Sequence, residues 1–390
     1  MGAGRRLMPL SWSAFLLIGW AGLLVPSLAR QVEARFGVDD AALGVLYLVS
    51  SVAYAGASFG GAFLTGRFGR RRVLGVAAVL VVVALALQAT AGSWALFLLA
   101  APVYGLGAGA IDGGLNGLTL AVATSGRARA LNVLHLFFSI GAFASPFIVG
   151  RLVSAGLAWQ AILAGTAVLA APIGLAFALM AMPSGRLADA SAPRAPSAPT
   201  APTTGAGAGP GRRGLLLLGF AITCYVAGEV GVSDWLVRFL ARADLDTSTL
   251  ALSGFWAGLA LGRLVSAVVA DRLPHAAFAA AAAVASGLAI VVAVVSPTLE
   301  LSIVAFAIAG FASGPIFPLI VAIGGDLYPR RLTQTAGALT GFGVIGGTIY
   351  PPLVGLMSAS VGLGIGLVGA AALSIAAGGA VLLAARIGRS

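Results

Sequence analysis

The sequence contains few charged residues and no lysine. Of its 390 residues, 9% are charged and 59% are hydrophobic, whereas a soluble domain carries about 25% charged residues. All 23 basic residues are arginines, and with 12 acidic residues they give a formal net charge of +11. These arginines stand singly or in short clusters between apolar runs, a pattern that is not typical of a nucleic-acid-binding surface. The composition therefore predicts an integral membrane protein without a nucleic-acid partner.

Cysteine and the common catalytic motifs are also missing or nearly so. Cys224 is the only cysteine, which excludes a disulfide within the chain and a metal site built from several cysteines. The sequence shows no phosphate-binding loop, no nucleophile triad and no metal-ligand spacing. Its Gly-x-Gly runs lie inside apolar segments and not at strand-to-helix turns. We therefore expect a protein that is not an enzyme and that holds neither a cofactor nor a metal.

Twelve apolar runs are long enough to cross a bilayer, which takes about 20 residues. They predict an all-α membrane protein with twelve transmembrane helices. The first run follows two arginines, as a signal peptide would, but it has spanning length and no clear cleavage site, so we expect it to be retained. The predicted spans, numbered 1 to 12, are 10–30, 41–65, 73–91, 95–122, 130–153, 158–181, 214–238, 249–270, 276–296, 300–324, 334–358 and 361–385.

The arginines are divided unequally between the two ends of these spans. An even number of spans places both termini on one side of the membrane, here called the termini side, and the opposite face is called the far side. Seventeen arginines fall on the termini side, five on the far side, and Arg263 lies within span 8. The positive-inside rule therefore places both termini in the cytoplasm, in the inner (plasma) membrane of a cell.

One long polar stretch interrupts the apolar spans. It covers residues 183–213 and is rich in Ala, Pro, Ser, Thr and Gly. Such a composition cannot bury enough apolar surface to fold, so we predict a disordered cytoplasmic linker. The linker separates six spans from six. We therefore predict an N-terminal six-helix lobe at 1–182 and a C-terminal six-helix lobe at 214–390.

The two halves repeat one another at an offset of 205 residues. A Gly-x4-Pro-x3-Gly motif begins at Gly141 in span 5 and recurs from Gly346 in span 11. Two glycines of span 4, Gly105 and Gly109, recur at the same offset in span 10. The repeated prolines are predicted to bend spans 5 and 11. Two parallel six-helix repeats are typical of a secondary transporter that rocks around a site at the membrane midplane.

Span 4 carries a carboxylate in the middle of its apolar run. Asp112 lies about 15 Å from the termini-side end of this span, at 1.5 Å per residue. Asn116 follows one helical turn later, on the same face as Gly105 and Gly109. An ionisable group at membrane depth is a functional candidate, and the glycines would let a helix or a ligand approach closely. The structural alternative is a buried Asp that hydrogen-bonds to neighbouring helices.

The loop between spans 2 and 3 carries a short arginine-rich motif, Gly66-Arg-Phe-Gly-Arg-Arg-Arg72. Together with the repeated spans, this motif resembles the major facilitator superfamily, in which the loop tightens a turn and helps to latch the cytoplasmic gate. The superfamily pattern has an Asp where this chain has Gly66, and the second half of the chain keeps that Asp. Topology alone would also account for the arginines. The resemblance implies the gate residues Arg67, Gly69, Arg70, Arg71, Asp271 and Arg272.

Within that superfamily, several segments look like the fucose permease branch of sugar:proton symporters. They are the Gly-rich run of span 4 with its acid, the stretch around His135 in span 5, the stretch around Glu229 in span 7, and residues 255–263 of span 8. The resemblance implies that Asp112 takes part in proton coupling and in sugar binding. That branch has its other working carboxylate in span 1, whereas span 1 of this chain has no acid and only Trp20 near its middle.

Further polar and aromatic side chains complete the predicted site. Glu229 and His135 are candidates for proton coupling beside Asp112. Asn116 and Asn132 each offer the donor and the acceptor that a sugar hydroxyl needs. Every one of these residues has an alternative as a plain packing or hydrogen-bonding residue. The aromatic candidates for contact with a substrate are Trp20, Tyr225 and Trp256.

Two charged residues near the ends of their spans are expected to reach water. Arg263 of span 8 should extend toward the termini-side interface, with a gate or substrate role as the alternative. Asp234 of span 7 is expected at the far-side edge, in contact with solvent. Neither residue is included in the predicted site.

These observations predict a secondary active transporter that takes up a sugar or a similar polar small molecule by alternating access, coupled to a cation. The expected partners are the substrate, a coupling proton or sodium ion, and the lipid bilayer, and the protein is expected to be a monomer. The nearest alternative is proton-coupled efflux of a drug-like or amphiphilic compound, because few charges and an apolar cavity fit that function too. A sensor or assembly protein that kept the fold is a third interpretation, against which the mid-membrane acid argues.

Overall fold

The structure is a computed structural model that describes residues 2–123, 127–180, 182 and 211–387. Within these ranges every regular element is helical, and twelve helical spans are long and apolar enough to cross a membrane. The predicted all-α class and the twelve spans are confirmed. Most of the predicted linker, 183–210, lies outside the described residues, so the lobe boundaries at 182 and 214 stay predictions.

The helix ends lie within a few residues of the predicted span ends, except at the start of span 1. Spans 1 and 10 each consist of two helices, and the other ten are single helices. Span 1 is Gly2–Gly22 and Leu24–Phe36, and span 10 is Leu299–Ser313 and Ile316–Leu327. Spans 2 to 9, 11 and 12 are Asp40–Phe68, Arg70–Thr90, Trp94–Val122, Arg127–Ser154, Trp159–Leu179, Gly211–Phe239, Leu245–Val269, His275–Val295, Leu332–Val361 and Leu363–Ile387.

The helix breaks fall in spans 1 and 10, and not in spans 5 and 11. The helices of spans 5 and 11 continue through Pro146 and Pro351. Span 1 breaks at Leu23, three residues before Pro26, which has no N–H to donate to the carbonyl one turn earlier. Span 10 breaks at the Gly314-Pro315 pair for the same reason. Proline therefore interrupts the helix in spans 1 and 10 but not in spans 5 and 11, and the sequence motif alone did not identify those places.

The predicted repeat is visible in the helix caps. Asp39 begins span 2 by accepting a hydrogen bond from the Ala42 amide, and Asp244 begins span 8 in the same way. Ser93 and Thr298 cap spans 4 and 10 with their hydroxyl oxygens. Each pair is separated by the predicted offset of 205 residues. The two halves therefore start corresponding helices with the same capping chemistry, which supplies acceptors for amides that lack a helical partner.

The repeat also governs how the spans pack. Spans 1 and 5, 2 and 4, and 3 and 6 pack together, as do their counterparts 7 and 11, 8 and 10, and 9 and 12. We call spans 1–6 the N-lobe and spans 7–12 the C-lobe. Across the two lobes, span 2 packs on span 11 and span 5 packs on span 8. These four spans therefore border the cleft in which a site between the lobes would lie.

Glycine allows spans 2 and 4 to touch backbone to backbone. A Cβ atom at Gly109 would overlap the carbonyl oxygen of Tyr54. A Cβ at Gly310 in span 10 would likewise overlap the carbonyl oxygen of Phe255 in span 8. Such contacts bring helix axes closer than side chains permit. In the N-lobe the consequence is functional, because the span 2 face that approaches span 4 is the face that reaches Asp112.

Candidate functional site

The Asp112 carboxylate lies where span 4 faces span 2. Ser58 Oγ donates to Asp112 Oδ2 at 3.1 Å, and Asn116 Nδ2 donates to Asp112 Oδ1 at 3.0 Å. The Tyr54 hydroxyl faces the same carboxylate, close enough to interact with it electrostatically. Tyr54 and Ser58 are one turn apart on span 2, at the level of the glycines that admit the close approach. The site therefore surrounds a half-buried acid with neutral donors, which satisfy a carboxylate without cancelling its charge.

Asn116 joins this carboxylate to span 5. Its Oδ1 lies 3.2 Å from His135 Nε2. Because the Asn116 amide nitrogen is already directed at Asp112, its oxygen faces the imidazole, and Nε2 must carry the proton that makes this bond. The His135 ring packs edge-on against Phe15, with 5.4 Å between ring centroids, while the side chain as a whole is exposed. Asp112, Asn116 and His135, which were predicted separately, therefore form one hydrogen-bonded chain.

The C-lobe contributes a cation to this cluster. Arg263 Nη1 approaches Ser139 Oγ in span 5 at 3.5 Å, so its side chain crosses between the lobes. It also lies near His135 electrostatically. The expectation that Arg263 extends to the interface is therefore wrong, because the cleft offers its guanidinium polar partners nearer at hand. The buried Tyr225 hydroxyl faces Glu229 and Arg263 without forming a well-aligned hydrogen bond to either.

The other predicted substrate ligands form no described hydrogen bond to Asp112, Asn116 or His135. Trp20 Nε1 donates to Thr166 Oγ1 of span 6 at 3.0 Å, and Trp256 Nε1 donates to Ser233 Oγ of span 7 at 3.0 Å. Tyr225 is 1% exposed. All three rings are thus held by their own lobe, and their contact with a substrate stays a prediction. Asn132 is exposed, three residues before His135 on the same side of span 5.

The arginine-rich loop is a tight turn whose cations have different surroundings. Gly69 has φ 82°, a backbone conformation that favours glycine, and it joins spans 2 and 3 directly. Arg70 is buried, whereas Arg67 is exposed. Arg71 Nε donates to the Ala178 carbonyl near the end of span 6, where a cation is favoured. Arg272 is exposed in the corresponding turn of the C-lobe, and the side chain of Asp271 lies outside the described part of the structure.

Ion pairs join the lobes at the far side. Arg238 Nε of the C-lobe lies 2.8 Å from Glu33 Oε2 and 2.9 Å from Asp40 Oδ1, both of the N-lobe. Arg151 of the N-lobe pairs with Asp246 of the C-lobe at 2.9 Å. We call these five residues the far-side latch. It holds the far ends of the lobes together.

Comparison with known proteins gives the family. The model of the Major Facilitator Superfamily matches residues 7–241. The chain belongs to this superfamily. The predicted membership is confirmed, and with it a multi-pass membrane transporter of small molecules that is not an enzyme.

Three relatives of this facilitator illustrate the range of the family. An uncharacterized MFS-type transporter of Yersinia pestis is 23% identical over 93% of this chain and 92% of its own length. A protein provisionally named a glucose/galactose transporter in Helicobacter pylori is 26% identical over 34% of this chain and 33% of its own length. The gentisate transporter of Corynebacterium glutamicum is 25% identical over 92% of this chain and 82% of its own length.

Two solved structures share the facilitator fold. A bacterial homologue of the human lysosomal transporter Spinster, in an inward-facing and unoccupied conformation, has a TM-score of 0.79 and 15% identity, and covers 100% of this chain and 98% of its own. The Escherichia coli fucose:proton symporter has a TM-score of 0.63 and 15% identity, and covers 98% and 99%. At these identities the likeness establishes the fold of this facilitator and leaves its substrate to be inferred from the site.

Sequence reasoning missed several residues of the facilitator's polar cluster. Tyr54 and Ser58 contact Asp112, and Ser139 contacts Arg263. Tyr54 and Ser58 are spaced four residues apart on span 2, opposite the glycines of span 4. That spacing would have indicated a shared polar face. Asp234 was expected at the far-side edge of span 7, and the structure places it in the wall of a cavity with Tyr47 and Tyr104.

Proposed function

We propose that this facilitator is a proton-coupled symporter that takes up a sugar or a similar polar small molecule by alternating access. The observation that carries the proposal is the Asp112 carboxylate, held in mid-span by two neutral hydrogen-bond donors, Ser58 and Asn116, with the Tyr54 hydroxyl facing it. Among the described residues it forms no ion pair. Binding a proton would therefore remove an uncompensated negative charge from the bilayer interior, which is the change that a coupling site needs.

The geometry favours one oxygen of Asp112 for the proton. Oδ1 accepts from an amide, which cannot reverse its role, whereas Oδ2 accepts from the Ser58 hydroxyl, which can rotate and accept instead. A proton on Oδ2 is thus accommodated by reversing one hydrogen bond. The Asn116 to His135 link stays intact in both states. Coupling would then act on the substrate through Asn116, which is bonded to the acid on one side and to the exposed His135 on the other.

The side chains beside Asp112 suit a substrate that bears hydroxyl groups. Asn116, Asn132 and His135 offer donors and acceptors in a small region of spans 4 and 5. The provisional name of the Helicobacter pylori relative and the sugar named for the fucose:proton symporter support a sugar here. The far-side latch and the exposed His135 support a cleft that opens toward the termini side. The excess of arginines on that side supports cytoplasmic termini in the inner membrane, and we propose a monomer.

One observation favours a second candidate substrate, a small aromatic carboxylate. Arg263 places a guanidinium next to His135, within a cleft bordered by the Phe138 and Trp256 rings, which lie 6.0 Å apart. A guanidinium binds a carboxylate through two parallel hydrogen bonds. The full-length relative named a gentisate transporter supports this candidate. Arg263→Gln should abolish uptake of an aromatic acid. It should reduce uptake of a neutral sugar to a smaller extent, because a sugar has no carboxylate for the guanidinium to bind.

The test is uptake by the full-length protein in liposomes. Labelled hexoses, pentoses and hydroxybenzoates are offered under an imposed pH gradient, a sodium gradient or none, with the wild type and Asp112→Asn in parallel. The proposal predicts accumulation of a polar solute that needs the proton gradient and is lost in Asp112→Asn. Accumulation that ignores every gradient and survives Asp112→Asn contradicts it. If cells that express the protein tolerate toxic amphiphiles but take up no polar solute, this result would favour efflux instead.

A further inference from the structure

A cavity of about 180 Å³ lies between the lobes on the far side of Asp112. Spans 1 to 4 form most of its wall, and span 7 contributes Asp234. Its wall is largely apolar, but Tyr47, Tyr104, Gln88 and Ser50 also line it and bring polar groups into the cavity. Span 1 breaks at this level, and Pro26 cannot donate to the carbonyl of Gly22 at the cavity wall. The cavity therefore has both the volume and the polar groups to hold several water molecules.

Asp234 is the acid of this cavity. Among the described residues its carboxylate forms no ion pair, and no described hydrogen bond ends on it; the one bond at this residue, from the Tyr47 hydroxyl, goes to its backbone carbonyl. The titratable groups around it are Tyr47 of span 2 and Tyr104 of span 4. Behind Tyr47 lie Glu33, Asp40 and Arg238 of the far-side latch. An acid without a fixed partner, facing a cavity that can hold water, is free to exchange a proton with that water.

A chain of hydroxyl groups connects this cavity with the central site. Tyr104 lines the cavity and lies close enough to Tyr54 for the two phenols to interact electrostatically. The Tyr54 hydroxyl in turn faces the Asp112 carboxylate. The sequence of groups from the far side inward is thus Asp234, cavity water, Tyr104, Tyr54 and Asp112. These groups come from both lobes.

We infer that Asp234 and this cavity form the far-side proton site of the carrier, which passes protons to Asp112 through Tyr104 and Tyr54. The inference rests on the proposed function and adds a second acid to it, on span 7 instead of span 1. A proton from water binds the Asp234 carboxylate and leaves it for a cavity water. Each hydroxyl then accepts one proton on its oxygen and releases its own to the next acceptor, ending on Asp112 Oδ2. No group is consumed, and the net result is the transfer of one proton.

The first test measures proton binding without any transport substrate. Infrared spectra of the purified full-length protein in nanodiscs are recorded over the pH range in which it stays folded, for the wild type, Asp234→Asn, Asp112→Asn and the control variant Thr90→Val, which removes no carboxyl group. We expect the band of protonated carboxyl groups to lose one pH-dependent component in Asp234→Asn, a different one in Asp112→Asn, and none in Thr90→Val. Identical wild-type and Asp234→Asn spectra across that range would overturn the inference.

The second test separates proton delivery from substrate binding. In liposomes, exchange of labelled substrate at equal pH requires no net proton movement, whereas accumulation under a pH gradient does. We expect Asp234→Asn and Tyr104→Phe to lower accumulation by on the order of tenfold or more, with exchange within about twofold of the wild type, and Asp234→Glu to restore accumulation. Unchanged accumulation overturns the relay, and so does an equal fall of accumulation and exchange in folded protein. If the wild type moves no offered substrate, the proposed function fails, while the infrared test still decides whether Asp234 binds protons.

Discussion

At the residue scale, the central site depends on a single amide that has two different partners. Asn116 donates to Asp112 and accepts from His135, so it fixes both the acid and the imidazole. No other described hydrogen bond holds the Asp112 carboxylate and the His135 imidazole next to each other. A change at Asn116 should therefore alter substrate affinity and coupling together, although the residue is itself uncharged.

Asn116→Leu keeps the volume of this side chain and removes both hydrogen bonds. Each lost bond is worth about 1–1.5 kcal/mol, more where a charged group is left, so we expect the KM for the transported substrate to rise by about tenfold or more. Initial uptake rates over a range of substrate concentrations measure this. Thr90→Val, at an exposed threonine that bonds only within its own helix, is the control. A KM equal to that of the wild type in Asn116→Leu would remove Asn116 from the site.

The sequence located the acid, the amide and the imidazole, because each is a polar residue within an otherwise apolar span. It did not predict that they bond to one another, since this depends on the rotation of spans 4 and 5 about their axes. It also misplaced Arg263 and Asp234. Both were assigned from their distance to the end of a span, whereas Arg263 reaches Ser139 of span 5 and Asp234 faces a cavity walled mostly by spans 1 to 4, which no local pattern reports.

At the element scale, the glycines of span 4 set the distance to span 2, and with it the reach of Ser58 to Asp112. A Cβ at Gly109 overlaps backbone atoms of Tyr54, which cannot rotate away. Gly109→Ala should therefore lower stability by about 1–3 kcal/mol, the range for overpacking. Thermal unfolding of the purified protein, followed by tryptophan fluorescence, measures the loss.

The same helix supplies a matched control. A Cβ at Gly117 would meet nothing within 4 Å, so Gly117→Ala should leave the melting temperature unchanged or raise it slightly. Gly310→Ala, at a backbone contact of the same kind between spans 8 and 10, should cost about as much as Gly109→Ala. Equal melting temperatures for Gly109→Ala and Gly117→Ala would contradict the packing described for spans 2 and 4.

The N-terminal cap of span 8, Asp244, should make the stability of the folded protein depend on pH. Hydrogen bonds from the Thr247 amide and hydroxyl to the Asp244 carboxylate lower its pKa below the ordinary value. A lowered pKa in the folded state means that the cap contributes its full stability above the ordinary pKa and loses it as the pH falls through the lowered one. Asp244→Ala should therefore melt below the wild type at neutral pH, and the difference should shrink in acid. A difference that grows in acid would contradict this account.

Span positions were predictable from sequence, because crossing a bilayer requires about 20 apolar residues and allows few charges. The helix breaks at Leu23 and Gly314 were not, because prolines recur in several spans and packing decides which of them interrupts a helix. The repeat was predictable from glycines at a constant offset. The caps Asp39 and Asp244 could have strengthened that prediction, since they share the same offset and begin corresponding helices.

At the scale of the whole molecule, the far-side latch should set the balance between the two access states. Arg238, whose side chain is 31% exposed, contacts two acids of the other lobe, whereas Arg151, 57% exposed, contacts one. More exposed ion pairs contribute less to the free energy that holds the far ends of the lobes together. Arg238→Gln should therefore shift the population toward a far-side-open state by about tenfold, and Arg151→Gln by about twofold or less.

Distances between spin labels on the far ends of spans 1 and 7 would report this shift. The native Cys224 is buried and is replaced by Ser before the label sites are introduced. We expect a longer far-side distance to gain population in Arg238→Gln, and the wild-type distribution to persist in Arg151→Gln. Equal distributions in the wild type and in both variants would show that the latch does not control opening.

The central claim is that one acid in mid-span 4 couples a proton to a polar solute. The direct measurement follows substrate and proton together in the same liposomes, with a labelled substrate outside and a pH indicator inside, at zero initial pH gradient. The account predicts that a downhill substrate gradient acidifies the liposome interior in step with uptake, and that Asp112→Asn carries substrate without acidification or carries none. Substrate uptake by the wild type with a constant internal pH would contradict it.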